Sequence, residues 1–145
     1  MRSAVLIFFC SLLVSALADQ CADGYHWNGK LNTCVMPVQN YNTYQQSSDI
    51  CTKAQGALFS VHDQNSNDAL VGEARMYFIY TYYLGATRSG DSWKWIDGSA
   101  MDYTNWAPGQ PSNAGNCLTA DVFSHQWSVA DCATEAQAFC GPMKK

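Results

Sequence analysis

Six cysteines, Cys21, Cys34, Cys51, Cys117, Cys132 and Cys140, constrain this chain more than any other feature of its sequence. A seventh, Cys10, lies in residues 1–18, which read as a secretory signal peptide. Arg2 gives it a positive start, residues 4–14 are apolar apart from Ser11, and Ala16-Leu17-Ala18 is a small-residue cleavage site. The apolar run is too short for a stable membrane anchor, and no second run follows. Cleavage after Ala18 leaves residues 19–145 as one domain with a modest core and an even cysteine count. In a small exported chain that count implies a disulfide framework, with about 15 pairings open to six cysteines. Zinc is a poor alternative, because no C-x-x-C pair occurs and His26, His62 and His125 are scattered singly.

Charge excludes one class of partner. Without Arg2 the Lys and Arg total falls from 8 to 7, against 12 Asp and Glu. Only Lys144-Lys145 forms a basic pair, whereas nucleic-acid binding needs clustered cations. Charged residues make up 14% of the chain, well below the usual ~25%. Amides, hydroxyls and aromatics take their place, a surface suited to polar contacts with sugars or proteins. No N-x-Ser/Thr sequon occurs.

Local patterns predict an α+β domain without internal repeats. Residues 21–36 read as a hairpin turning at Asn28-Gly29. A polar loop over 39–48 leads to a first helix capped by Ser47 or Ser48, with Ile50, Cys51 and Ala54 on one face and Gly56 as its stop. Leu58-Phe59-Ser60-Val61 reads as a short strand. Asp63 caps a second helix running to about Arg75, with Ala69, Leu70 and Ala74 inward. The aromatic run over 76–86 favours a strand, as does Trp93-Lys94-Trp95-Ile96. A Pro/Gly/Asn/Ser-rich loop then spans 97–116, followed by a strand over 117–122 and another ending at Phe139-Cys140. A structureless loop of that length inside a small domain points to function.

The stretch Trp95-Ile96-Asp97-Gly98-Ser99, then Tyr103-Thr104-Asn105-Trp106, closing on Cys117, Trp127, Cys132 and Cys140, resembles the C-type lectin-like domain. Cys51 ahead of Gly56-Ala57-Leu58, and Tyr83-Leu84-Gly85-Ala86, are similar to that family's other signatures. The resemblance covers essentially all of residues 19–145. It implies two helices flanking small antiparallel sheets, a long loop region, and bridges Cys51–Cys140, Cys117–Cys132 and, as in the longer form with an N-terminal hairpin, Cys21–Cys34. Trp95, Trp106 and Trp127 read as core pieces holding the loop, and Trp93 and Tyr103 as contact surface.

In sugar-binding members a calcium ion, held by oxygen ligands, coordinates two sugar hydroxyls. The resemblance places those ligands at an E-P-N or Q-P-D tripeptide whose proline is usually cis, an acid shortly before a cysteine, and an Asn-Asp pair after a tryptophan. Here the tripeptide is Gln110-Pro111-Ser112, the residues before Cys117 are Gly115-Asn116, and Trp127-Ser128-Val129 replaces the last motif. Calcium takes six to eight oxygens and enough negative charge, and no carboxylate stands at any of these positions. A displaced weak site over Gln110, Asp121 and Asp131, with Asp102 as a further carboxylate, is the remaining metal option. The usual calcium-dependent site is read as lost.

No catalytic constellation emerges. Ser124-His125 are adjacent without an orienting acid, and Glu73 and Glu135 sit on unrelated elements. The expected function is that of a secreted, extracellular lectin-like protein. It would bind a glycan or glycoprotein through Gln110, Ser112, Asn116 and Ser128, with Trp93 or Tyr103 stacking on the sugar. A calcium-free module for a protein or lipid ligand is the alternative. Small lectin-like proteins of invertebrate secretions suggest defence or mucosal recognition. No stalk that would multimerise the chain is present.

Overall fold

The computed structural model describes residues 21–143. The signal-peptide reading of residues 1–18 therefore lies outside the described residues. Among the described residues, eight strands and two helices follow one another as β1 (His26–Asn28), β2 (Thr33–Asn42), α1 (Tyr44–Lys53), β3 (Gly56–Leu58), α2 (Gln64–Met76), β4 (Thr81–Ser89), β5 (Ser92–Trp95), β6 (Cys117–Asp121), β7 (Trp127–Ala130) and β8 (Ala136–Pro142). The sheet runs β1-β2-β8-β4-β6-β7, with β3 paired to β8 and β5 to β4. It is mixed rather than wholly antiparallel. β8 enters between β2 and β4 and lies parallel to β4, with Tyr82 opposite Gln137 and Tyr83 opposite Ala138.

The three disulfides are Cys21–Cys34, Cys51–Cys140 and Cys117–Cys132. Cys51–Cys140 ties α1 to β8, so the helix is fastened to the central sheet. Cys117–Cys132 closes the β6–β7 hairpin beneath the long loop. Each bridge restricts the unfolded chain and is worth roughly 2–4 kcal/mol.

Several boundaries differ from the sequence expectation, each for a local reason. Asn28 does not make a two-residue turn. Its Oδ1 accepts from Lys30 N and Leu31 N, both at 3.0 Å, and the strands rejoin only at Thr33. Residues 39–42 continue β2, and α1 starts earlier than Ser47. Thr43 caps it, because Gln46 reaches back to Thr43 N while Thr43 Oγ1 accepts from Gln46 N. Ser47 lies instead on the buried face with Tyr44 and Cys51. Gln55 takes the left-handed turn at φ 60°, and Gly56 serves close packing. A Cβ there would meet Tyr25 Oη at 2.0 Å and Gly141 O at 2.4 Å.

Asp63 does cap α2, accepting from Ser66 N. The helix then absorbs Met76, which was read as strand. It ends in a Schellman arrangement, with Ile79 N donating to Ala74 O at 2.9 Å and Phe78 N to Arg75 O at 3.3 Å. Phe78 fills the position usually given to glycine, at φ 56°, and its ring points outward. Ile79 is fully buried, so the stop is driven by apolar packing behind the turn. The main core gathers Leu70, Ile79, Tyr82, Leu84, Trp95, Trp127 and Phe139 between α2 and the sheet.

Candidate functional site

The loop between β5 and β6 hangs on one residue, through both its ring and its main chain. Trp127 on β7 is fully buried, and its Nε1 donates to Asn67 Oδ1 at 2.8 Å. Its backbone N–H donates to Asn105 O at 2.8 Å, and its carbonyl accepts from Ala107 N at 2.9 Å. Trp95, Tyr103 and Trp106 stand around it, with ring centroids 5.5–6.1 Å away and near-perpendicular planes. Edge-to-face packing of this kind adds to the burial of the rings themselves. The loop is thereby divided into a half before Trp127's anchor points and a half after them.

The first half is organised by carboxylates. Ser60 Oγ donates to Asp97 Oδ2 at 2.6 Å, and Ser99 N to Asp97 Oδ1 at 2.9 Å. His62 bridges this group, with Nδ1 2.7 Å from Asp102 Oδ1 and Nε2 3.1 Å from Ser99 Oγ. A cavity of about 290 Å³ opens beside it, lined by Leu31, Leu58, Ser60, His62, Asp63 and Asp97 among others.

The second half follows the cis Gln110–Pro111 bond. Gln110 Oε1 accepts from Ser112 N and from Val129 N, both at 3.0 Å. That carbonyl already has a donor for each lone pair, so Gln110 is a brace between the loop and β7. Beside it stands Arg88 of β4, which the sequence reading passed over. Its Nη1 donates to Ser112 O at 3.1 Å and to Asn113 Oδ1 at 3.3 Å, and its Nη2 to Gly115 O at 3.0 Å. Nε lies 3.5 Å from Asn116 Oδ1, and Arg88 N donates to Asn116 O at 2.9 Å. The guanidinium carbon is 5.8 Å from the centre of the Trp93 ring, directly across the β4–β5 pair. Trp93 packs in turn on Trp106 at 5.4 Å.

Of the residues expected at a sugar site, Gln110, Ser112, Asn116 and Trp93 converge here around Arg88. Ser128 is half-buried on β7 next to Val129, and its carbonyl accepts from Thr119 Oγ1 at 3.2 Å. Tyr103 is turned toward α2, its hydroxyl donating to Gln64 Oε1 at 2.8 Å. Burial, then the carboxylates Asp68 and Asp63, push that phenol's pKa up. Tyr103 therefore braces Trp127, where the sequence suggested a stacking surface.

The displaced metal set does not assemble. Ala130 pairs with Cys117 and Trp127 with Ala120, so Asp131 and Asp121 stand at opposite ends of the β6–β7 hairpin. Asp121 accepts from Phe123 N, Ser124 N and Ser124 Oγ. Burial would raise its pKa, but these hydrogen bonds hold it below the usual carboxylate value. Asp131 caps its own turn by accepting from Ala133 N at 2.9 Å. Asp102 is held by His62.

The ligand positions implied by resemblance fit calcium no better. Gly115 stands where the acid before Cys117 is expected, and a Cβ there would meet Ala130 O at 2.1 Å and Asp131 N at 2.6 Å. No acidic side chain can return to that position without moving the loop. Among the described residues, no group of three or more His, Cys, Asp and Glu is placed to hold a metal ion.

The order of strands, the bridges and the Trp127-centred loop define a C-type lectin fold. Residues 40–141 match the family model described as the lectin C-type domain, and the chain belongs to that family. The domain is a binding module and not an enzyme. Mouse proteoglycan 3 is 32% identical over 71% of this chain, a match spanning only 49% of that longer protein. Perlucin from Haliotis laevigata is 27% identical over 83% of this chain and 81% of its own length. Among solved structures, human lithostathine superposes with a TM-score of 0.77 at 18% identity, covering 89% of this chain and 94% of that one. A calcium-independent type II antifreeze protein gives 0.70 at 19% identity, covering 85% and 94%. At those identities the likeness is one of fold. Among the described residues, no helix is long and apolar enough to cross a membrane.

Proposed function

We propose that this chain is a secreted glycan-binding lectin that works through residues 110–116 and the Trp93 face, without calcium held in the family's usual manner. The observation that carries the reading is the bracing of this segment from within, by Gln110 Oε1 on Val129 N and by the Arg88 guanidinium. Bracing spares a ligand the cost of ordering the loop. Asn113 and Asn116 are exposed along it and can exchange hydrogen bonds with sugar hydroxyls, while Trp93 offers a half-buried ring. Ser112 and Ser128 complete the proposed polar set. The three disulfides and the signal-like leader support an extracellular setting. A role in defence or mucosal recognition follows by analogy with small invertebrate lectins.

A glycan array probed with the oxidised protein, with millimolar calcium and again with chelator, tests this. Binding in both conditions is expected. Binding abolished by chelator would sink the calcium-free reading. One feature favours a second reading, that of a protein or lipid ligand: Phe78, Tyr80 and Phe123 are all exposed at one corner, the last two stacked at 5.6 Å. An array blank in both conditions would transfer the proposal there.

A further inference from the structure

We propose that Arg88 is the resident cation of residues 112–116, gathering in permanent covalent form the loop oxygens that a metal ion would otherwise gather. Its connection to ligand binding rests on the glycan reading above; the ordering of the loop does not.

The argument begins with the donor set. Ser112 O, Asn113 Oδ1, Gly115 O and Asn116 Oδ1 all turn toward one guanidinium, at 3.0–3.5 Å. Two are main-chain carbonyls and two are side-chain amides. Neutral oxygens of this kind commonly contribute to calcium sites, where carboxylates supply the balancing charge. None of these four carries charge, so the set suits a single positive charge and falls short for a dication. Arginine meets it better than lysine, because a planar fork of five N–H groups can reach several acceptors at fixed angles. The fork is itself aimed: Arg88 stands across from Trp93, whose ring lies under the guanidinium within cation–π range.

Two further features close the position to a metal. Gln110 Oε1 is occupied by two N–H donors, and Gly115 is packed so tightly on Ala130 that no acid fits there. A dication approaching the same oxygens would also meet the guanidinium's own charge. The loop oxygens and Arg88 thus form a complete unit, and order in residues 112–116 depends on Arg88 and not on calcium.

Hydrogen exchange on the disulfide-bonded protein tests this directly. In the native protein, amide exchange over 112–116 should differ by less than about two-fold between millimolar calcium and chelator. Arg88→Met keeps the apolar stem and removes the fork; exchange over 112–116 should accelerate by about ten-fold or more, while β8 stays protected. Arg88→Lys keeps charge without the fork and should fall between the two. Should Arg88→Met fail to fold, Arg88→Lys decides alone, through acceleration confined to 112–116. Unchanged exchange in both variants, or a calcium-induced slowing of about ten-fold in the native protein, would overturn the proposal. A blank glycan array beside the expected exchange pattern would leave Arg88's role standing and remove only the glycan reading.

Discussion

Residues 97–102 and 110–116 belong to one loop, yet they are ordered by charges of opposite sign. In the first half, Asp97 and Asp102 collect hydroxyls, a backbone N–H and the His62 ring. In the second, Arg88 collects two main-chain carbonyls and two side-chain amide oxygens. An irregular segment must satisfy its backbone groups somewhere, and either an anion that accepts or a cation that donates can do so. The choice fixes what else the segment can hold. A half ordered by a cation has already used the oxygens that would recruit a metal.

The comparison can be broken most forcefully at its shared anchor. Trp127→Ala should cost about 3–5 kcal/mol in urea unfolding, since the ring is fully buried and Trp95, Tyr103 and Trp106 pack edge-on around it. Hydrogen exchange in that variant should loosen both halves; loosening of one alone would show that they do not share an anchor. Removing the Cys117–Cys132 bridge by paired alanines should cost about 3 kcal/mol and loosen 110–116 more than 97–102. Gln110→Ala leaves Ser112 N and Val129 N without their acceptor, an expected loss of roughly 1–3 kcal/mol confined to the second half. His62→Ala should cost about 1 kcal/mol and loosen only residues 97–102.

Acid gives the smallest effect. Asp63 is held below the usual 3.8 chiefly by the Ser66 backbone N–H, and Asp68 chiefly by its hydrogen bond with His125. Carboxylates depressed in the folded state stabilise it above their unfolded pKa, and that contribution is lost as pH falls through the folded values. The urea midpoint should therefore decline as pH drops below about 4, with solvent screening keeping the change shallow. A midpoint that rises over that range would contradict the assignment.

Much of the fold could be read in advance. The tryptophans and the cysteine order pointed to the domain, and Asp63 marked the start of α2. What escaped depends on contacts distant in sequence. The strand was expected over Met76 to Ala86 from its aromatic and β-branched residues, yet pairing of Thr87, Arg88 and Ser89 with Lys94, Trp93 and Ser92 carries it on to Ser89. Arg88 was lost with that boundary, and with it the organising charge of the second half. β7 was overlooked because Trp127-Ser128-Val129 was read for ligand atoms. Its alternation of buried and half-buried residues is an ordinary strand pattern. Phe78 shows a different limit: the end of α2 was legible to within one residue, at Arg75, but not the turn that makes it, in which Phe78 takes φ 56° with Ile79 buried behind it.

The pairing of β2 with β8 also sets how the domain can be attached to anything else. Met36 faces Cys140 in antiparallel register, and Cys34, which carries the bridge to Cys21, lies two residues before Met36, so Cys21 and the end of β8 lie toward the same end of the sheet. A module with both ends on one side can be spliced into the middle of a longer polypeptide, or hung from a single tether, without straining its interior. The same geometry makes either end a convenient handle for grafting the domain onto a bead or a scaffold, with the fold itself left untouched.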